Sequence, residues 1–223
     1  LDNVIIDNNI SIDSDNDEAG GGIFLDTSNA NFNNVTITNN HSYSIGGGVL
    51  IRNADVSISS SNISNNSSGK DGSAIMIRGE SACDLSHSII NNNDSGNNGT
   101  IFIKDSSSMN IEESLFSYNS HIDSGTLFIS GNSSLSGNKL TITHNQNLDE
   151  RKGAIIVEYN ASYSISNSIL FDNSMDLTNF SPHDGNNANL PFGYFNHSLI
   201  GNYQTIEISD GSTNVYTNLD FHN

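Results

Sequence analysis

A short apolar triplet behind a pair of small residues recurs along this chain at a nearly constant interval. It appears as Gly21-Gly22-Ile23-Phe24-Leu25, Gly47-Gly48-Val49-Leu50-Ile51 and Ser73-Ala74-Ile75-Met76-Ile77. It returns as Gly99-Thr100-Ile101-Phe102-Ile103, Gly125-Thr126-Leu127-Phe128-Ile129 and Gly153-Ala154-Ile155-Ile156-Val157. The first apolar positions, 23, 49, 75, 101, 127 and 155, step by 26 four times and then by 28. A second motif, an apolar residue followed three later by Asn, keeps the same beat. It reads Ile37 to Asn40, Ile63 to Asn66, Ile89 to Asn92, Phe116 to Asn119, Ile142 to Asn145 and Leu170 to Asn173. Fainter copies at Ile5 to Asn8 and Leu199 to Asn202 bring the expected count to eight. A fixed period of this length signals a solenoid.

The triplets sit among Gly, Asn, Asp and Ser and are too short for helices, so each period holds two or three short strands. Neither a leucine-rich spacing nor a 3.6-residue pattern is present. A parallel β-helix of about eight coils remains, with each strand stacked on its counterpart about 4.8 Å away. Only 34% of the residues are hydrophobic, and the 37 Asn and 37 Ser fill much of the rest. A narrow stacked core explains how such a composition folds. The recurring Asn reads as a structural ladder at a turn, where a side-chain amide bonds the turn backbone and its own copies. Asn also tolerates the left-handed backbone of sharp turns. The repeats are expected to span 1–202, with an acidic loop insertion near 11–19 and an irregular one near 174–192. Residues 203–223 would form terminal strands or begin a further coil.

The paired motifs, Gly-Gly-Ala-Ile-like and Phe-x-x-Asn-like, resemble the polymorphic outer membrane protein repeats of chlamydial autotransporter adhesins. The resemblance covers residues 1 to about 202. Only some copies keep Gly-Gly, and Phe116 to Asn119 alone keeps the aromatic. It implies a right-handed β-helix of the pectate-lyase-like kind, located outside the cell or on its surface, with a role in adhesion or scaffolding.

Charge narrows the partners. Seven Lys plus Arg against 25 Asp plus Glu give −18, which argues against nucleic acid, because phosphate binding needs clustered cations. No apolar window is long enough to span a bilayer, so direct membrane insertion is not expected. Leu1 to Asn8 read as folded chain rather than as a basic-then-apolar signal. The lone Cys83 rules out an internal disulfide and shares a column with Met109, Leu135 and Tyr163, as a small core residue would.

Strand alternation assigns faces. The outer triplet positions belong inside, so Phe24, Leu50, Met76, Phe102, Phe128 and Ile156 should point out as an apolar stripe. Such a stripe serves self-association or a protein partner, unless the chain covers it, for instance with Ser174 to Leu190. The next outward column holds Arg52, Arg78 and Lys104, a contact ladder for an acidic glycan or an acidic neighbour. The competing reading is a solvated set of charges balanced by Asp55, Glu80 and Asp105. Asp13, Asp15 and Asp17 could wrap a calcium ion, although no later Glu completes a known loop. Asp71 and Asp123 fall two coils apart in one column, a spacing that hydrolytic carboxylates use, but a turn also favours Asp there. Twelve Asn-x-Ser/Thr sequons occur, among them Asn34, Asn62, Asn98, Asn132, Asn160 and Asn196. Composition alone yields about eight. The expected function is a structural or adhesive extracellular rod, with a glycan-binding module or a polysaccharide-cleaving enzyme as alternatives.

Overall fold

The computed structural model describes residues 1–12, 20–148, 154–174, 192–201 and 215–216. These form a β-solenoid in which every strand pairing is parallel and joins equivalent segments of successive coils. Among the described residues there are four sheets. The triplet sheet has six strands, from Ile23–Asp26 to Ile155–Val157. The chain then turns into a long-strand sheet of seven, from Ala30–Asn33 to Phe192–Asn196. Next comes the asparagine sheet of nine, from Ile5–Asp7 to Val215–Tyr216. A short sheet of six two-residue strands, from Ile10–Ser11 to Gln146–Asn147, completes the circuit.

The register follows the sequence period. Ile23, Val49, Ile75, Ile101, Leu127 and Ile155 are consecutive partners in one ladder. The coil count differs from expectation: about six turns are complete, not eight. The copies beginning at Ile5 and Leu199 add strands to the asparagine sheet, but among the described residues no triplet strand accompanies them. Both predicted insertions fall largely on residues 13–19 and 175–191, outside the described residues, as does most of 203–223.

The main core is a column of inward residues from three sheets, including Ile37, Val49, Ile51, Ile58, Ile63, Ile75, Ile77 and Phe116, all fully buried. Full burial of a side chain of this size stabilises by about 1.5–3 kcal/mol, and the repeat supplies several per coil. Cys83 lies in this column between Val56 and Met109, and burial pushes its thiol up to about 12.

The outward stripe predicted from alternation is not an open surface. Leu50, Met76, Phe102, Phe128 and Ile156 are buried and form a second apolar cluster together with Ile45. The cover is the loop between the short sheet and the triplet sheet. Gly46 and Gly72 lie on it at φ +65° and +64°, and a Cβ on either would come within 2.8 and 2.9 Å of the Cβ atoms of Leu50 and Met76. Glycine is required there twice over, for the left-handed backbone and for the close approach. Phe102 and Phe128 stack at 4.5 Å within this layer. Phe24 alone keeps 39% exposure, with the Arg52 guanidinium 5.1 Å from its ring centroid. Alternation gave the facing correctly; the loop, not a partner, occupies the face.

Candidate functional site

The most repetitive constellation is the corner between the asparagine and short sheets. There the backbone changes direction, and N–H groups lose the carbonyls that the strands supply. Asn9, Asn40, Asn66, Asn93, Asn119, Asn145 and Asn173 stack to fill the gap. In each rung from Asn40 to Asn145, the backbone N–H and Nδ2 both donate to Oδ1 of the next Asn, at 2.8–3.1 Å. Nδ2 also donates back to a carbonyl of the preceding coil, such as Ile37 for Asn66 and Ile90 for Asn119. The faint copies are shifted by one: Ile6 to Asn9, not Ile5 to Asn8, matches Ile37 to Asn40, and Ile200, not Leu199, pairs with Leu170. The ladder is structural, as the sequence indicates, with one further correction. Its third-coil member is Asn93, not Asn92, and the apolar residue three before it is the buried Ile90, not the 44% exposed Ile89. Asn92 occupies the neighbouring position at φ +54°, equivalent to Asn39, Asn65, Tyr118, His144 and Asp172. The two tasks assigned to one Asn are therefore divided between adjacent residues, which accounts for the Asn-Asn doublets.

Two serine columns do similar work at the other corners, and neither is evident from motif spacing alone. Between the long-strand and asparagine sheets, Val35, Ser61, Ser88 and Leu140 donate their N–H groups to the hydroxyls of Ser61, Ser88, Ser114 and Ser168 one coil on. Between the triplet and long-strand sheets, Ala54, Ser81 and Ser107 donate to Ser81, Ser107 and Ser133.

The basic column does not act as three equivalent cations. Arg52 forms a two-pronged pair with Asp26 one coil away, Nε to Oδ1 at 3.0 Å and an NH2 group to Oδ2 at 2.7 Å. That hydrogen bonding holds the Asp26 carboxyl down to about 2. Lys104 lies 5.7 Å from the Phe102 ring centroid, and Arg78 has no ion pair among the described residues. The partner of Arg52 is thus its own column neighbour rather than Asp55, Glu80 or Asp105. A second charge ladder, unforeseen from the sequence, joins His87, Glu113 and Lys139 on three successive coils, with contacts of 3.1 and 2.5 Å. The hydrogen bond from Lys139 lowers the Glu113 pKa and raises that of Lys139 itself.

Asp71 and Asp123 are separated by Asn97, which donates Nδ2 to Asp71 Oδ1 at 3.2 Å and whose carbonyl accepts from the Asp123 N–H at 3.0 Å. Asp71 Oδ1 also accepts from the backbone and side-chain N–H groups of Asn98. This carboxylate works as a turn acceptor. The pair sits on the loop that covers the second core, away from one concavity of the described surface. That concavity is a shallow trough of about 450 Å³ on the outer face of the long-strand sheet. Asp84, Ser108, Asn110, Ser134, Ser136 and Ser164 line it in register, with no Lys or Arg among its lining residues. The candidate calcium ligands Asp13, Asp15 and Asp17 lie outside the described residues.

His121 is a buried residue that the sequence does not single out. It takes the inward place in the short sheet held by Ser42, Ser68 and Ser95 in earlier coils and by Asn147 in the next. Its Nε2 meets Thr126 Oγ1 at 3.3 Å, while Nδ1 has no partner among the described residues. Burial pushes its pKa down to about 4, so the imidazole is neutral near pH 7.

No family model, curated protein or solved structure matches this chain.

Proposed function

We propose that this chain is an extracellular structural and adhesive rod, a segment through which a larger cell-surface or filament protein contacts other proteins. The observation supporting this reading is the even distribution of the internal bonding. Corner ladders and parallel pairing recur coil after coil, so stiffness is built along the length instead of around one pocket. Such quasi-one-dimensional stacking suits a spacer that presents a long lateral surface. The resemblance to adhesin repeats points the same way. With most of the predicted stripe buried, contacts would use the polar outer faces rather than an apolar seam. An antibody to the chain, applied to intact and to permeabilised cells that make it, tests the location. Labelling of intact cells that external protease removes is expected; labelling only after permeabilisation overturns the proposal.

The trough favours a second reading, a glycan-binding module. Its rows of hydroxyl, amide and a single carboxylate group suit a neutral or amine-bearing sugar chain better than an acidic one. Binding to neutral glycans on an array, lost on Ser136→Trp, would support it.

A further inference from the structure

Sequons carry no information about which asparagines can bear sugar; the fold separates them. Asn9, Asn40, Asn66 and Asn93 are each followed two residues later by Ser11, Ser42, Ser68 and Ser95 of the short sheet. These four sequons arise because a ladder Asn precedes a short-sheet Ser at that fixed distance. Asn40, Asn66 and Asn93 are at most 1% exposed, and both Nδ2 hydrogens of each are engaged, one to the next Asn and one to a backbone carbonyl. A sugar on any of them has no space and removes a donor from the ladder. Asn34 donates Nδ2 to Asn3 and Asn98 donates to Asp71, while the Asn62 Oδ1 is buried within a strand.

Three other sequon asparagines, Asn65, Asn132 and Asn160, share different features. Each is exposed, each stands in a turn at φ between +54° and +60°, and none has a side-chain hydrogen bond among the described residues. Asn132 and Asn160 occupy one corner on successive coils, with the Asn132 N–H bonded to the Tyr159 carbonyl. We infer that Asn65, Asn132 and Asn160 are sites at which the folded chain accepts N-linked sugar, and that sugar on the ladder sequons Asn40, Asn66 or Asn93 prevents folding. In the reaction, Nδ2 attacks C1 of the first sugar of a lipid-pyrophosphate-linked oligosaccharide. The N–C1 bond forms and the C1–O bond breaks; the lipid pyrophosphate leaves with the electron pair, and one amide proton passes to base. The inference takes its compartment from the surface reading above, but its geometry is independent of it.

The test directs the full chain into a eukaryotic secretory pathway and maps sugar site by site, in secreted and in retained material, by peptide mass spectrometry. Secreted, protease-resistant chain should carry sugar at Asn65, Asn132 and Asn160 and none at Asn40, Asn66 or Asn93, with ladder-modified chain confined to the retained fraction. The variant S42A/S68A/S95A keeps every ladder amide while deleting three ladder sequons, and should raise the secreted yield several-fold. Protease-resistant chain with sugar on a ladder Asn overturns the inference. So does a lack of sugar at all three predicted sites in both fractions. Because the host is foreign, either result is independent of where the native protein resides, which the intact-cell labelling decides separately.

Discussion

The asparagine corner and the serine corner solve the same problem, a backbone N–H stranded at a turn, with different reach. A ladder Asn spans three coils: its Oδ1 accepts from the rung before, and its Nδ2 reaches both the rung after and a carbonyl of the preceding coil. A corner Ser spans two: Ser88 Oγ accepts from the Ser61 N–H and donates within its own coil to the Ser86 carbonyl. The asparagine column is unbroken through seven described rungs, whereas the serine columns are interrupted by Val35 and Leu140 at one corner and by Ala54 and Ala161 at the other. A missing Ser leaves one N–H without its acceptor; a missing Asn disconnects two coils at once. The more connections a rung makes, the less substitution it tolerates.

The largest effect is therefore expected at a central asparagine. Asn119→Ala takes the acceptor from the Asn93 backbone and side chain, and the donor from the Ile90 carbonyl and Asn145 Oδ1. With buried partners left unpaired at about 1–3 kcal/mol each, partly relieved by relaxation, the loss should be about 4 kcal/mol. The midpoint of denaturant unfolding checks it. A loss no greater than that of Ser88→Ala would break the comparison between the corners.

His121 lies just beyond the asparagine corner, in a column that holds Ser in the three coils before it and Asn in the next. Its folded pKa of about 4 is below the 6.5 of a free imidazole. Above pH 6.5 both folded and unfolded chains hold it neutral, and its contribution is constant. As pH falls from 6.5 towards 4, the unfolded chain binds a proton that the folded chain refuses, and stability declines by about 3 kcal/mol. Asp26, held down by Arg52, acts below that window, and Glu113, lowered from 4.5, enters only at its acid edge. His121→Asn, which copies the next coil's Asn147, should flatten the unfolding midpoint between pH 6.5 and 4. An unchanged pH profile in the variant would remove His121 as the cause.

How far these distinctions could be read beforehand depends on what each signal measures. The triplet register was legible because an inward Ile, Val or Leu every coil has no polar substitute in a column this narrow. The ladder rung was misplaced by one in the third coil for a physical reason. Gly79 and Glu80 add a residue at the preceding corner, shifting Ser81, Ser88 and Asn93 to a spacing of 27 from Ala54, Ser61 and Asn66. The run Asn91-Asn92-Asn93 then offers an Asn in either frame. The second member of the doublets Asn39-Asn40 and Asn65-Asn66 is the signal that fixes the frame. The covered stripe was not legible, because alternation defines a side chain's direction and says nothing about which loop returns over it. The Gly46 and Gly72 turns carry that information only once their left-handed geometry is known.

Among the serines the effects should be smaller and local. Ser88→Ala strips the Ser61 N–H of its acceptor and the Ser86 carbonyl of a donor, for an expected loss of about 1–2 kcal/mol with no change in the unfolding slope. A steeper loss accompanied by an altered slope would mean that serine rungs, like asparagine rungs, hold several coils together.

The smallest effect runs in the other direction and tests whether the interruptions are true vacancies in the ladder. Ala161 is buried in the position that would accept from Ser133, just as Ser133 accepts from Ser107. Ala161→Ser adds one oxygen where the column already places one in three other coils, and the side chain has almost the same volume. A newly satisfied N–H should raise stability by about 0.5–1 kcal/mol, read as a higher denaturant midpoint at constant slope. A decrease would show that the Ala161 site has closed around its methyl group. The corner would then owe its tolerance to local repacking rather than to the short reach of a serine hydroxyl.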